Sequence, residues 1–272
     1  MIFDILTLFP AWFQGDSPVS DSILGRAVEH GLITLRVWNF RDYATDRHKV
    51  ADDMPYGGGG GMLLKTEPIC RALDAIAGPP GDPARPRVIY TSPQGARLDQ
   101  RKVLELAALG RIVILCGRYE GVDERVIETR VDEEISIGDY VLTGGELPAM
   151  ILTDAIARMI PGTLGNPGSA PRDSFYDGLL DCPHYTRPEV FEGRRVPEVL
   201  LSGHHARIEA WRRERALLKT ARVRPDLLLA RPDALAELGE ILSERPGERA
   251  GVSAEILRRL GLESPETPSG QG

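Results

Sequence analysis

Three cysteines occur in 272 residues and none forms a C-x-x-C pair. The chain therefore has neither a disulfide framework nor a cysteine-based zinc site, which fits a reducing compartment. No apolar stretch approaches the roughly 20 residues of a membrane span. No signal peptide is visible either, because Met1 leads directly into the alternation Ile2, Phe3, Ile5, Leu6 with Asp4 inside it. These absences predict a cytoplasmic protein. A positive excess is also missing: the net charge is −7, so the whole-molecule field gives no sign of nucleic acid and any basic surface has to be local. There are no internal repeats.

Nucleotide loops are missing too. The five glycines Gly57 to Gly61 precede Lys65-Thr66, but the P-loop needs lysine directly after its last glycine, and Met62-Leu63-Leu64 intervene. The dinucleotide pattern started at Gly57 meets Met62 where its last glycine belongs. ATP and NAD are rejected on these grounds.

What is present is organised around 136–150, SIGDYVLTGGELPAM. An apolar strand-like run through Ile135, Ile137, Tyr140, Val141 and Leu142 stops at Thr143-Gly144-Gly145, and Glu146 opens a helix-periodic stretch. Adjacent glycines let a ligand approach the main chain closely. Two similar turns follow other apolar runs, Ser92-Pro93-Gln94-Gly95 and 116–121, CGRYEG. In open α/β sheets ligands bind outside the carboxyl ends of the strands. Glycine in such turns also serves purely steric needs, and that alternative stays open at this point.

Along the chain, 1–9 reads as a strand, 24–30 as a helix stopped by Gly31, and 32–38 as a second strand, a β-α-β unit. Residues 39–62 form a long polar segment, functional or disordered by its length. Helices are predicted at 67–77, at 99–109 with Asp99 as N-cap, and from Glu146 to a stop at Ile160-Pro161-Gly162. The acidic stretch 122–134 reads as a solvated helical face. Gly165, Pro167, Gly168 and Pro171 mark a boundary. Beyond it, 204–221 and 232–244 read as helices, 252–260 as one further helix, and 263–272 as a frayed end. From Arg187 to Arg231 the chain holds 11 Lys/Arg against 6 Asp/Glu, a local basic region. The expected organisation is an α/β domain over 1–161, a linker over 162–177, a smaller and mostly helical domain over 178–246, and a tail over 247–272.

Several long strings fit one family in order: DRH at 46–48, DDxPYGGGxGM at 52–62, SPQG at 92–95, CGRYEGxDERV at 116–126, SIGDYVLxGGELPA at 136–149 and DSFxxGLLDCPHYTRPEV at 173–190. On these the chain resembles the bacterial tRNA (guanine-N1)-methyltransferases of the SPOUT, or trefoil-knot, superfamily. The resemblance spans roughly 1–245; Gly60, the 78–86 loop and the end beyond Pro246 depart from it. Pattern alone predicts an ordinary open sheet, since knots are nearly absent from proteins. The resemblance instead implies a mostly parallel sheet with a deep trefoil knot, threaded near Gly117 and Gly144, and a homodimer whose active sites are shared between subunits.

The resemblance also implies S-adenosylmethionine as methyl donor and, as target, the guanosine immediately 3′ of the anticodon (position 37), presented on a tRNA anticodon stem-loop. Pro93, Gly117, Ile137, Gly138, Tyr140, Leu142, Gly144, Gly145 and Pro148 would hold the donor, though each also has a fold-keeping reading. Guanine N1 must lose a proton as it attacks, and a carboxylate within reach is the economical base. The resemblance gives that part to Asp173, from the opposite subunit; alone, Asp173 reads as a helix cap. Arg158 would stabilise charge on guanine O6, and alone reads as a solvated helix residue. Glu120 would hold the guanine edge or face the sulfonium. Arg212, Arg213 and Arg215 would grip phosphates, with Arg47, His48, His184 and Arg187 as further RNA contacts, Tyr185 lying between the last two. No metal site is assigned, and a role for Mg2+ stays open. Two rival classes remain: a nucleic-acid-binding protein without catalysis, and a thiol hydrolase using Cys182 and His184.

Overall fold

The computed structural model describes residues 1–166 and 168–262. Pro167 and the expected fraying of 263–272 lie outside the described residues. The chain divides into two compact units, Met1–Ala170 and Pro171–Gly272.

In the first unit the chain runs β1 (Ile2–Thr7), α1 (Ser22–Glu29), β2 (Thr34–Asn39), β3 (Asp52–Asp53), β4 (Leu63–Leu64), α2 (Thr66–Ala77), β5 (Arg87–Arg97), α3 (Gln100–Ala107), β6 (Arg111–Cys116), α4 (Glu124–Arg130), β7 (Glu133–Ser136) and α5 (Glu146–Ala157). Five strands form one sheet in the order β2-β1-β6-β5-β7, and every neighbouring pair is parallel. Alternation sorts the side chains to two covered faces. Phe3, Ile5, Ile112 and Ile114 pack with Leu24, Leu106, Leu152 and Ile156, so α1, α3 and α5 cover one face. Leu6, Val113 and Leu115 pack with Ile69, Leu73 and Val126, so α2 and α4 cover the other. Asp99 caps α3 as predicted, accepting from the Lys102 N–H at 2.8 Å.

Two expectations change. The run from Ile135 to Leu142 is not one strand: β7 ends at Ser136. Gly138 takes φ +151°, its N–H is held by Ser136 Oγ at 3.2 Å, and 137–145 becomes a loop. Residues 92–95 are not a free turn. They bulge within β5, because Thr91 and Ala96 both pair with Ile135 of β7, and a bulge accommodates Pro93, which has no N–H to give the ladder.

The segment 39–62 is only partly structureless. Phe40–Tyr43 forms a 3-10 turn and β3 pairs with β4. The rest is tied locally, Asp46 accepting from the N–H groups of His48 and Val50 at 2.9 and 3.0 Å. The Val50 bond is the first cause of the lowered Asp46 carboxyl pKa.

The second unit contains β8 (Val190–Phe191), β9 (Arg194–Arg195), α6 (Glu198–Leu201), α7 (His205–Val223), α8 (Pro225–Leu229), α9 (Pro232–Glu244) and α10 (Ala254–Arg259). Its core joins Leu217, Leu218, Leu228, Leu238 and Leu242 to Val252 and Ile256. The described part of the region read as a tail is thus built into this core.

At the amino end of the sheet Asp4 is fully buried. Trp38 Nε1 donates to it at 2.9 Å and Arg111 Nε at 2.8 Å. Removing one partner leaves a buried carboxylate undercompensated. Arg111→Met is expected to cost roughly 2–4 kcal/mol in urea unfolding; a loss under about 0.5 kcal/mol would show that the pair does not hold β1 and β6 together.

Candidate active site

The carboxyl ends of β5, β6 and β7 open into a cleft of about 370 Å³, within the usual range for small-molecule sites. Its walls are the 92–94 bulge, the 117–122 turn, the end of β7 and the 137–145 loop, with Pro148 from α5. Pro93, Gly117, Ile137, Gly138, Tyr140, Leu142, Gly144, Gly145 and Pro148 all line it, and so does Glu120.

The glycines allow main chains to meet. Gly145 N–H donates to Gly117 O at 2.8 Å. A Cβ on Gly145 would overlap Thr91 Oγ1 and come within 2.7 Å of Cys116 Cα. A Cβ on Gly61 would stand against the Glu120 carboxylate. The glycine run is stitched to the Glu120 turn, since Glu120 N–H donates to Met62 O at 3.0 Å and Leu64 N–H to Gly121 O at 3.0 Å. Between them Tyr119 holds φ +61°, a conformation that non-glycine residues rarely take. Under this turn the Tyr90 phenol is pushed up to about 12, first by burial and then by Glu134, so it stays protonated.

Sequence reading missed a buried charge pair beside the cleft. Glu146 is 1% exposed; Thr7 Oγ1 donates to its Oε1 at 2.7 Å, and Arg118 Nε lies 2.9 Å from its Oε2. That last approach is an ion pair whose angle falls short of a hydrogen bond. The only sequence signal was an acidic residue at a helix start, where the helix dipole favours negative charge.

Neither Arg158 nor Asp173 is among the residues that line this cleft. Arg158 caps the carboxyl end of α5, its N–H donating to Asp154 O at 3.1 Å. That helix has 12 residues, so Arg158 is about 18 Å along it from the glycine end. Asp173 belongs to the second unit. No helix begins there; the 3-10 turn Ala170–Arg172 precedes it, and its carbonyl accepts from Tyr176 N–H at 3.3 Å. Asp173 lines a second cleft of about 280 Å³ with Asp181, Cys182, His184, Arg212 and Arg213.

Of the arginines expected to grip RNA, Arg213 and Arg215 are engaged inside the second unit. Arg213 donates to Glu237 at 2.8 and 3.0 Å and to Asp177 at 3.3 Å; the Glu237 bond is the first cause of its raised pKa. Arg215 pairs with Glu214 at 2.8 Å and Glu248 at 2.9 Å. Arg212 meets Glu209 at 2.6 Å. Arg47, His48 and Arg187 are exposed.

Among the described residues, Asp181, Cys182 and His184 are the one trio whose ligand atoms lie within 4.8 Å of one another. Arg172, Arg212 and Arg213 line the same cleft, an unfavourable setting for a cation. The trio does not make an activated thiol either. His184 Nε2 sits 2.7 Å from Asp181 Oδ2, and Cys182 is pushed up first by burial and then by Asp181. Burial raises the Asp181 carboxyl, but the bonds from His184 and the Cys182 N–H outweigh it and leave it lowered.

Gly145→Ala is expected to lower stability by roughly 1–3 kcal/mol through overpacking. Gly165→Ala, with nothing within 4 Å of its Cβ position, should stay within about 0.5 kcal/mol in the same thermal unfolding experiment. Equal effects would refute the close approach.

A sequence model of the family described as tRNA (Guanine-1)-methyltransferase TrmD matches residues 1–230. Similar proteins include the tRNA (guanine-N(1)-)-methyltransferase of Geobacter metallireducens, 57% identical over 228 residues that make up 84% of this chain and 91% of that one. That of Serratia proteamaculans is 56% identical over 229 residues, 84% of this chain and 88% of its own. That of Cupriavidus metallidurans is 54% identical over 233 residues, 85% and 88% respectively. A match that starts in β1 and runs into the helical unit, with over half the residues identical to these relatives across most of the chain, means that the protein belongs to the tRNA (guanine-1)-methyltransferase family.

Proposed function

We propose that the protein transfers the methyl group of S-adenosylmethionine to N1 of the guanosine immediately 3′ of the anticodon, position 37, in tRNA. The observation that carries the reading is the convergence of all nine donor-binding candidates on one cleft at the carboxyl ends of three parallel strands. The cleft also suits the donor chemically. Main-chain groups of 137–142 can take the adenine edge, Pro93, Leu142 and Pro148 give apolar walls, and the Glu124 carboxylate answers a cation. When bound, the donor supplies an electrophilic methyl on a sulfonium.

The residues of this chain then divide the work. Asp173 takes the N1 proton of guanine, Arg158 steadies the negative charge that moves to O6, and Glu120 holds the Watson-Crick edge. The target base leaves its stack to enter. Arg158 lies at the far end of α5 from the glycines, which supports a site completed by a second subunit. So do Leu147 and Ile151, exposed four residues apart on that helix, an apolar stripe of the kind that homodimers bury. The close passage of 137–145 beside 116–121 supports the threaded, trefoil-knotted reading. Among the described residues no helix is long and apolar enough to cross a membrane; a cytoplasmic location is proposed from the tRNA substrate. No group of this chain is assigned to Mg2+.

Because Arg213 and Arg215 are tied to carboxylates of other segments, phosphate contacts are proposed for Arg187, Arg207 and Arg212, whose Glu209 partner is an exposed neighbour on its own helix, with Arg47 and His48. Arg187→Ala with Arg207→Ala should weaken tRNA binding and lower the salt slope by about one per residue. Arg215→Ala should instead lower the unfolding temperature; the opposite pattern would return Arg215 to the RNA surface.

The reaction is tested with radiolabelled S-adenosylmethionine and an unmodified tRNA carrying G after its anticodon. Label at N1 of that guanosine is expected, and its absence would remove the reading. Asp173→Ala should lower turnover by about 10²–10⁴ with donor affinity kept. Mixed dimers of Asp173→Ala with a subunit unable to bind donor should regain one competent site, whereas complete inactivity would argue against sharing.

A further inference from the structure

Arg118, in the 117–122 turn, reaches three other segments. Its guanidinium carbon lies 4.5 Å from the Phe9 ring centroid and 5.6 Å from that of Trp12, both just beyond β1. Its Nη1 donates to Thr143 O at 3.2 Å, and its Nε faces the buried Glu146 carboxylate at 2.9 Å. Glu146 is itself fixed by Thr7 Oγ1 at 2.7 Å, which also accepts the Phe9 N–H at 2.9 Å. Gly144 has no room for a Cβ because Arg118 Nε occupies that space.

Cation–π contact, ion pairing and a charge-assisted bond thus act on one group that is largely shielded from water, its side chain 15% exposed. The loop it anchors needs such help. Tyr140, Val141 and Leu142 are exposed, so few packing contacts hold 137–143 in shape. An unanchored loop loses conformational freedom on binding, and that loss subtracts from affinity.

We propose that Arg118 is a positioning residue that preorganises the 137–143 wall of the cleft for the methyl donor, acting through Thr143 and Glu146 rather than on the reacting atoms. The inference rests on reading that cleft as the donor site. Lysine can keep the charge beside Glu146 but has no planar group to stack and no forked donors to hold Thr143 O at the same time. Charge and loop order therefore separate in one substitution.

The test compares wild type, Arg118→Lys and Trp12→Leu by calorimetric titration with S-adenosylmethionine, by thermal unfolding and by kinetics at saturating tRNA. Arg118→Lys is expected to unfold near the wild-type temperature, bind the donor at least about tenfold more weakly, and raise KM for the donor with kcat within about threefold. Trp12→Leu, which removes one stacking face without exposing Glu146, should weaken donor binding by about threefold. Lysine-variant affinity within threefold of wild type, or a fall in kcat with KM unchanged, overturns the proposal. Wild type that fails to bind the donor overturns the reading of the cleft and this proposal with it, and is distinguished by needing no variant.

Discussion

Two main chains meet where Gly145 donates its N–H to Gly117 O at 2.8 Å, and the first unit's cleft exists only because they can. Neither β6 nor α5 could approach so closely with a Cβ at 145. The contact joins the end of one strand to the start of a helix across 28 residues of chain, leaving the intervening loop as a wall. What lies on either side, the bulge of β5 and the Tyr119 turn, is arranged against that fixed point.

Much of this was legible from residues because it was local. Glycines after apolar runs placed the turns at 117–121 and 143–145, and Asp99 announced α3 through a cap that depends on neighbouring peptide groups. What was not legible is decided across the sheet. Pairing of both Thr91 and Ala96 with Ile135 makes 92–95 a bulge, and no single-strand pattern contains that register. Hydrophobicity carried the predicted strand through to Leu142, whereas a single backbone angle at Gly138 ends it early. The Arg118–Glu146 pair was invisible for the same reason, since each residue alone looks like an ordinary charge near a turn.

The helical unit gives a second case of non-local decision. A count of arginines along 187–231 marks a basic region, but it does not distinguish a free cation from one already neutralised. Arg213 and Arg215 find Asp177, Glu237 and Glu248 only once α7, α9 and the segment after α9 have packed. The region's capacity to meet polyanions is accordingly smaller than its composition, and concentrated on fewer side chains.

The run Gly57 to Gly61 invites the view that it is slack. Its last member contradicts that, because the carboxylate of Glu120 rests where a methyl group at 61 would go. Gly61 also holds φ +87°, a backbone conformation that side chains rarely adopt, so an alanine there would strain the turn as well as push that carboxylate aside. Drift at this position would be felt twice, as a turn under strain and as an acidic group out of place.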